Sequence, residues 1–285
     1  MDGVILRSHA KLNFCLWVYP PLPGIQNFHP IRGIFQTISL HDTLNVRTLS
    51  EKQCKIVCDS PEIPLNQDND IAKAYSKLQD RLKIGVAVIL TKRIPVGAGL
   101  GGGSSNAATL LQYLNPLCEP EYSTSELQKL ASEIGSDVPY FINGGTCSVT
   151  TGSGVNVTPL QEMKTKWFLL IYPNFKASTV SVYNEFGRHD KRDLNGPFPD
   201  LENNFGENDL KPAALQLYPD LQRIHRKLSE MNLGDVYMTG SGSTLYISVV
   251  SKEEGEQLQN IVQDHIEGVW TCVTHTQPFS YQQEK

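Results

Sequence analysis

Three groups of residues in this chain could do chemistry together. The first is the stretch Pro95-Val96-Gly97-Ala98-Gly99-Leu100-Gly101-Gly102-Gly103-Ser104-Ser105-Asn106, which packs five of the chain's 22 glycines into seven positions. Glycine at that density costs backbone entropy, so a local need must offset it. A strand-like run at 86–91 precedes the stretch. A helical pattern with Ala107, Ala108, Leu111 and Leu114 on one face follows it. The glycines therefore lead from a strand into a helix N-terminus, where bare N–H groups and the helix dipole favour an anion, phosphate above all. The second group is Lys11 with Asn13, two residues apart in an alternating segment. The third is Asp137, between Gly135 and Val138-Pro139. A carboxylate there can cap a short helix, and the same group can serve as a base.

The glycine stretch admits four readings. A Walker A loop requires a Lys after its last Gly, and none follows Gly103. A dinucleotide fingerprint is matched literally by Gly97, Gly99 and Gly102. It calls for a second parallel strand ending in an acid, but Glu119 and Glu121 lie in a Pro-broken segment that is no strand. A purely structural loop is the bland reading. The fourth is a nest of backbone N–H groups around a nucleotide's phosphates, with Ser104 and Ser105 opening the helix as hydroxyl ligands.

The elements that must position these groups can be read from periodicity. Ala10, Leu12, Phe14, Leu16 and Val18 alternate with Lys11, Asn13, Cys15 and Trp17, so Lys11 and Asn13 share one strand face. After a Pro/Gly loop at 20–30 come short strands at 36–40, 43–47 and 53–58. Asp68, Asn69 and Asp70 offer N-caps to a helix carrying Ile71, Ala74, Tyr75, Leu78 and Leu82. Ser123 and Glu126 form a capping box, Gly135 ends that helix, and a strand follows at 146–151. This pattern predicts an α+β domain over 1–155. Over 156–285 the order β-α-α-β-β-α-β predicts a second domain, a ferredoxin-like antiparallel sheet with an extra helix. The polar tail after Thr276 reads as frayed.

Composition narrows the classes of function. Net charge is −5, from 25 basic and 30 acidic side chains without a basic block, which argues against nucleic acid or a membrane surface as partner. Cys54 and Cys58 have no second pair to complete a zinc site, so the six cysteines read as reduced thiols of a cytoplasmic protein. No signal or transit peptide is evident, and no apolar run nears the ~20 residues of a membrane span. Oligomeric state is not legible.

The stretch from Pro95 to Ala108 resembles the phosphate-loop motif of the galactokinase, homoserine, mevalonate and phosphomevalonate kinase superfamily. The extended Gly-Gly-Gly-Ser-Ser-Asn run is most similar to its branch of 4-diphosphocytidyl-2-C-methyl-D-erythritol kinases. Ala10-Lys11-Leu12-Asn13 resembles that branch's N-terminal strand, and Ser136-Asp137-Val138-Pro139-Tyr140-Phe141 its catalytic segment. Asn208-Asp209-Leu210 and Gly240-Ser241-Gly242 match points of its second domain. The sequence departs from the family at His9 (Pro in the family), Ala98 (Gly), Asn27-Phe28 (Gly-Tyr) and Asp70 (Leu).

The resemblance implies an N-terminal ribosomal-protein-S5-like domain 2 fold and a ferredoxin-like C-terminal domain. It implies transfer of phosphate from ATP to the 2-hydroxyl of a cytidine-diphosphate-linked methylerythritol, with Mg²⁺ bridging phosphates through Ser104 or Ser105. Asp137 is then the base and Lys11 the orienting cation. Asn13, Phe28, His29 and Tyr183 fall on the substrate, with Phe28 and Tyr183 on the two faces of cytosine and His29 at its edge. Lys92 and Asn69 fall beside the adenosine. Two alternatives stay open, another small-molecule kinase of the superfamily and a silent binding relative. The presence of both Lys11 and Asp137 disfavours the silent one.

Overall fold

The computed structural model describes residues 3–21, 29–143, 147–152, 156–160, 164–187, 192–193 and 196–284. Two sheets divide the strands. The first contains β1 (Val4–Val18), β2 (Ile31–Leu49), β3 (Cys54–Cys58), β4 (Gly85–Thr91), β5 (Ser148–Gly152) and β6 (Asn156–Pro159). The second contains β7 (Trp167–Tyr172), β8 (Tyr237–Met238), β9 (Leu245–Val249) and β10 (Trp270–His275). The last strand, β11 (Tyr281–Gln283), returns to the first sheet and pairs with β1. The first sheet runs β11-β1-β2-β4-β3, with β5 on β2 and β6 outside β5. Helices α1 (Asp70–Leu78), α2 (Gly102–Leu114), α3 (Thr124–Ser132) and α4 (Val138–Ile142) accompany it. The second sheet, ordered β10-β7-β9-β8 and antiparallel throughout, is the expected ferredoxin-like arrangement. Its helices are α5 (Thr179–Phe186), α6 (Leu210–Leu217), α7 (Pro219–Glu230) and α8 (Lys252–His265).

Several expectations shift. The short strands at 36–40 and 43–47 are one continuous β2, because its pairing with β1 runs through His41 and Asp42. Sheet membership does not divide at residue 155: β6 lies beyond that point yet extends the first sheet through β5. The tail is not frayed. Main-chain bonds tie it down, from Gln277 N to Thr37 O at 2.8 Å and from His9 N to Ser280 O at 2.9 Å. A polar edge strand needs only backbone pairing, which side-chain type does not advertise.

β1 decides where the chemistry sits. Its register against β2 shifts between His9 and Lys11 and again between Asn13 and Cys15. At the first shift three residues of β2, 38–40, stand opposite one of β1, at the second β1 carries one extra residue, and the side-chain parity of β1 changes at both. Between the bulges Leu12 faces a core with Ile34, Ile38, Phe168 and Tyr246, in the space between the two sheets. Lys11 and Asn13 turn to the opposite side, the α2 side, which Ser8 and Leu16 also face. Strict alternation would not place Ser8, Lys11, Asn13 and Leu16 together.

Candidate active site

The glycine stretch follows β4 and wraps into α2. Gly97, Gly99 and Gly101 hold left-handed φ values of 70°, 78° and 73°. Two of them show why no side chain fits. A Cβ on Gly99 would lie 2.6 Å from the carbonyl oxygen of Thr239, where the loop docks on the second sheet's 239–242 turn. A Cβ on Gly101 would lie 3.1 Å from Lys11 Cγ and 3.2 Å from the Phe141 ring. Gly101 is also the N-cap of α2, which has no side-chain cap and no acid in its first turn. The first N–H groups of α2 are therefore left to an anion.

A buried anchor fixes this loop. Asp42, on β2, is fully buried and pairs with Lys92. It also accepts from Arg93 N at 2.8 Å, Ile94 N at 2.9 Å and Asn106 Nδ2 at 3.1 Å. Asn106 also donates to Ser8 Oγ, which in turn bonds Ser105 Oγ at 2.7 Å. The loop is thus tied to β1 and β2 before any ligand arrives.

Two cavities meet across the loop. One, of about 330 Å³, is walled by residues 95–104 together with Ile63, Pro64, Asn69, Asp70 and Lys92. The other, of about 520 Å³, contains Lys11, Asn13, His29, Asp137 and Tyr183. Gly99 and Gly101 line both. At this junction Lys11 Nζ stands 3.5 Å from Asp137 Oδ2. The ammonium donates to Asn13 Oδ1 at 2.8 Å and lies 5.2 Å from the centre of the Phe35 ring. Asp137 precedes α4 but makes no side-chain cap bond to it, so its carboxylate is not spent on the helix. Asn13 is held from the second sheet, with its Oδ1 accepting from Thr239 Oγ1 at 3.0 Å and its carbonyl from Tyr246 OH at 2.9 Å. Its Nδ2 is buried without a partner among the described residues, so an acceptor on a ligand would complete it.

At the far end of the larger cavity, His29 Nδ1 donates to Tyr19 O at 2.9 Å, which leaves Nε2 as the acceptor of the neutral ring. The His29 and Tyr183 rings lie 5.6 Å apart. Burial, and then the charge of Asp137, push the Tyr183 phenol up, so it stays a hydrogen-bond donor. Thr179 and Ser241, bonded to each other at 2.9 Å, close the side formed by the second sheet.

Residues 69–145 match the GHMP kinases N terminal domain and residues 192–268 match the GHMP kinases C terminal family. Together the matches span more than half of the chain. A 4-diphosphocytidyl-2-C-methyl-D-erythritol kinase of Thermodesulfovibrio yellowstonii is 32% identical over 95% of this chain and 96% of its own. One of Clostridium botulinum is 33% identical over 85% and 90%. The chain belongs to the GHMP kinase family. A crystal structure of 4-(cytidine 5'-diphospho)-2C-methyl-D-erythritol kinase superposes with a TM-score of 0.77 at 27% identity, covering 96% of this chain and 99% of that one. A homoserine kinase from Cytophaga hutchinsonii reaches 0.70 at 16% identity, covering 100% and 98%, a likeness of fold alone.

Within this GHMP kinase the expected site residues separate. Lys11, Asn13, His29, Tyr183 and Asp137 gather in the larger cavity, and 95–104 with Asn69, Lys92 and Asn106 gather in the smaller. Phe28 lies outside the described residues. Ser105 is corrected as a metal ligand: it is fully buried and its hydroxyl is bonded to Ser8, which leaves Ser104. Asn69 and Lys92 line the smaller cavity with their polar atoms already engaged. Asn69 caps α1 and donates to Pro64 O at 2.7 Å, and Lys92 holds Asp42. Asp42 and Thr239 escaped the sequence reading. Asp42 shows as an acid inside an apolar alternating run, and Thr239 as the neighbour of Gly240-Ser241-Gly242.

Proposed function

We infer that the chain phosphorylates 4-diphosphocytidyl-2-C-methyl-D-erythritol with ATP at the 2-hydroxyl, a step of non-mevalonate isoprenoid biosynthesis. The observation that carries this reading is the junction of the two cavities at Gly99 and Gly101, with Lys11 and Asp137 beneath it. ATP lies in the smaller cavity, its phosphates against the 97–103 backbone and the start of α2. The acceptor lies in the larger one. Asp137 takes the proton of the acceptor hydroxyl as that oxygen bonds to the γ-phosphorus, and the bond to the β-phosphate oxygen breaks to release ADP. Lys11 sits between acceptor and phosphate, where it offsets negative charge developing on the transferred group. Thr239 and Tyr246 hold Asn13, and Asn13 in turn orients the Lys11 ammonium.

Cytosine fits the end formed by His29 and Tyr183. His29 Nε2 is an acceptor for the base's amine, and an aromatic wall supplies stacking worth about 1–3 kcal/mol. Mg²⁺ would be held chiefly by the phosphates. Among the described residues no three acidic, His or Cys side chains cluster to cage a metal. Ser104 Oγ, at the helix start, has no bonded partner among the described residues and could join the ion's ligands, and the ion would bridge and neutralise phosphate oxygens. In this reading the first sheet with α1–α4 carries the phosphate loop and the base, and the second sheet completes the acceptor cavity.

The test is an ADP-release assay offering the cytidyl substrate, mevalonate and homoserine in parallel. The reading expects turnover on the first alone. Preference for either of the others would replace it with another kinase of the family.

A further inference from the structure

Two motifs far apart in the chain, Asn208-Asp209-Leu210 and Gly240-Ser241-Gly242, meet in space. Asn208 is buried and spends both of its amide donors there. Its Nδ2 donates to Met238 O at 2.8 Å and to Gly240 O at 2.9 Å, and its Oδ1 accepts from Leu210 N at 3.0 Å. The two carbonyls flank Thr239, so one side chain pins the backbone on either side of it. Asn208 is itself fixed to β1. Leu16 N donates to Glu207 O at 2.9 Å and Asp209 N donates to Leu16 O at 3.0 Å, which lays residues 207–209 along β1 as a short parallel bridge.

Thr239 closes the circuit back to β1. It is fully buried, and its hydroxyl accepts from Asn13 N at 3.1 Å while donating to Asn13 Oδ1 at 3.0 Å. The ring from Leu16 through Asn208 and Thr239 to Asn13 therefore spans the β1 register shift between Asn13 and Cys15. It also sets which end of the Asn13 amide points where. The Lys11 ammonium has only hydrogens to offer, so the atom it meets at 2.8 Å is the oxygen. The Thr239 hydrogen goes to that same oxygen, which fixes the amide from the side opposite the bulge's own strand pairing. The fit leaves little slack: a Cβ on Gly240 would lie 3.2 Å from Gly99 O and 3.6 Å from Asn13 Oδ1. Without Asn208 both carbonyls lose this donor, the 238–240 backbone is free to shift, and the Thr239 hydroxyl moves off Asn13.

We propose that Asn208 is a positioning residue for phosphoryl transfer. By pinning the backbone around Thr239 it keeps that hydroxyl on Asn13, and through Asn13 it keeps the Lys11 ammonium aimed at the transferred group. This rests on the reading that Lys11 and Asp137 carry out phosphoryl transfer at the junction of the two cavities. A misplacement of about 1 Å arising away from the chemistry can cost ~10²-fold in rate, so a clamp that never meets the substrate still acts on turnover.

The experiment is a double-mutant cycle in kcat between Asn208→Ala and Thr239→Val, with ATP and the cytidyl substrate at saturation. Each single variant is expected to lower kcat about tenfold or more, and the double variant to fall less than about threefold below the worse single, because both break one path. Thr239→Ser keeps the hydroxyl. It is expected to retain most of the turnover alone and to lose it when Asn208→Ala is added. Melting temperatures check that each variant is folded at the assay temperature, and Asn208→Ser takes the place of Asn208→Ala in the cycle if the alanine variant does not fold. Full turnover in the folded Asn208 variant overturns the proposal, because the clamp then serves stability alone. Effects of the two substitutions that multiply overturn it as well, because Asn208 then acts by another route. Absence of wild-type turnover on the cytidyl substrate, mevalonate and homoserine alike would refute the kinase reading and this proposal with it, a result seen before any variant is made. Turnover on a different acceptor would replace the substrate reading alone, and the same cycle run on that acceptor then decides the proposal.

Discussion

Two lysine–aspartate pairs flank the glycine loop, and they are built in opposite ways. In Lys92–Asp42 the carboxylate is wholly buried and also accepts two backbone N–H groups and the Asn106 amide. In Lys11–Asp137 the ammonium is buried, but the carboxylate is 29% exposed, stands 3.5 Å away and caps nothing. In the first pair the Asp42 carboxylate has spent its hydrogen-bonding capacity on holding Lys92, the 93–94 backbone and Asn106. The second keeps acceptor oxygens facing a cavity. Saturation with internal partners, more than proximity to the loop, separates the structural pair from the one free to work.

The comparison breaks most visibly at Asp42. Replacing it with Ala strands the Lys92 ammonium and three donors, and is expected to cost about 3–5 kcal/mol of stability, read from urea unfolding. A loss as small as that at an exposed pair would erase the distinction.

The next largest effect concerns β1 itself. Burial, reinforced by the charges of His41 and Arg7, pulls the His9 imidazole down to about 4 from 6.5. The unfolded chain therefore binds the proton first. His9's contribution is fully present above pH 6.5 and is lost as pH falls from there toward 4, about 3 kcal/mol in all. Unfolding curves across that window should show a shallower pH slope for His9→Phe than for wild type. Equal slopes would contradict the assignment.

Gly101→Ala forces a side chain into a left-handed position against Lys11 and Phe141. It should cost about 1–2 kcal/mol in thermal unfolding and lower turnover by moving the ammonium. Unchanged turnover would show that Lys11 does not need that space. The smallest effect belongs to the exposed Lys176–Glu62 bridge, bonded at 2.7 Å, where Lys176→Ala should cost less than about 1 kcal/mol of stability.

Much of this site was legible because its residues are unusual for their places. A glycine run ahead of a helix, a lysine on a strand face and an aspartate before Val-Pro each carry a local signal. Asp42 was missed because dividing the run into strands at 36–40 and 43–47 leaves it in a connection, where an acid is ordinarily solvated, although it stands in phase with Ile38, Leu40, Leu44 and Val46. The bulges around Lys11 and Asn13 were hidden too, since a bulge changes parity without changing residue type. β11 was missed because it is three residues long and, apart from Tyr281 against the core, polar, so no alternation marks it. In the fold, the capping box at Ser123 and Glu126 formed as read, since both of its partners lie within one turn.

The central claim is that Asp137 is the working member of these two pairs. The direct measurement is kcat for Asp137→Asn on the cytidyl substrate, taken alongside its melting temperature. The account predicts a fall of about 10²–10⁴-fold with melting little changed, because the carboxylate caps no helix and serves as the base. A folded variant that retains most of its turnover would contradict it.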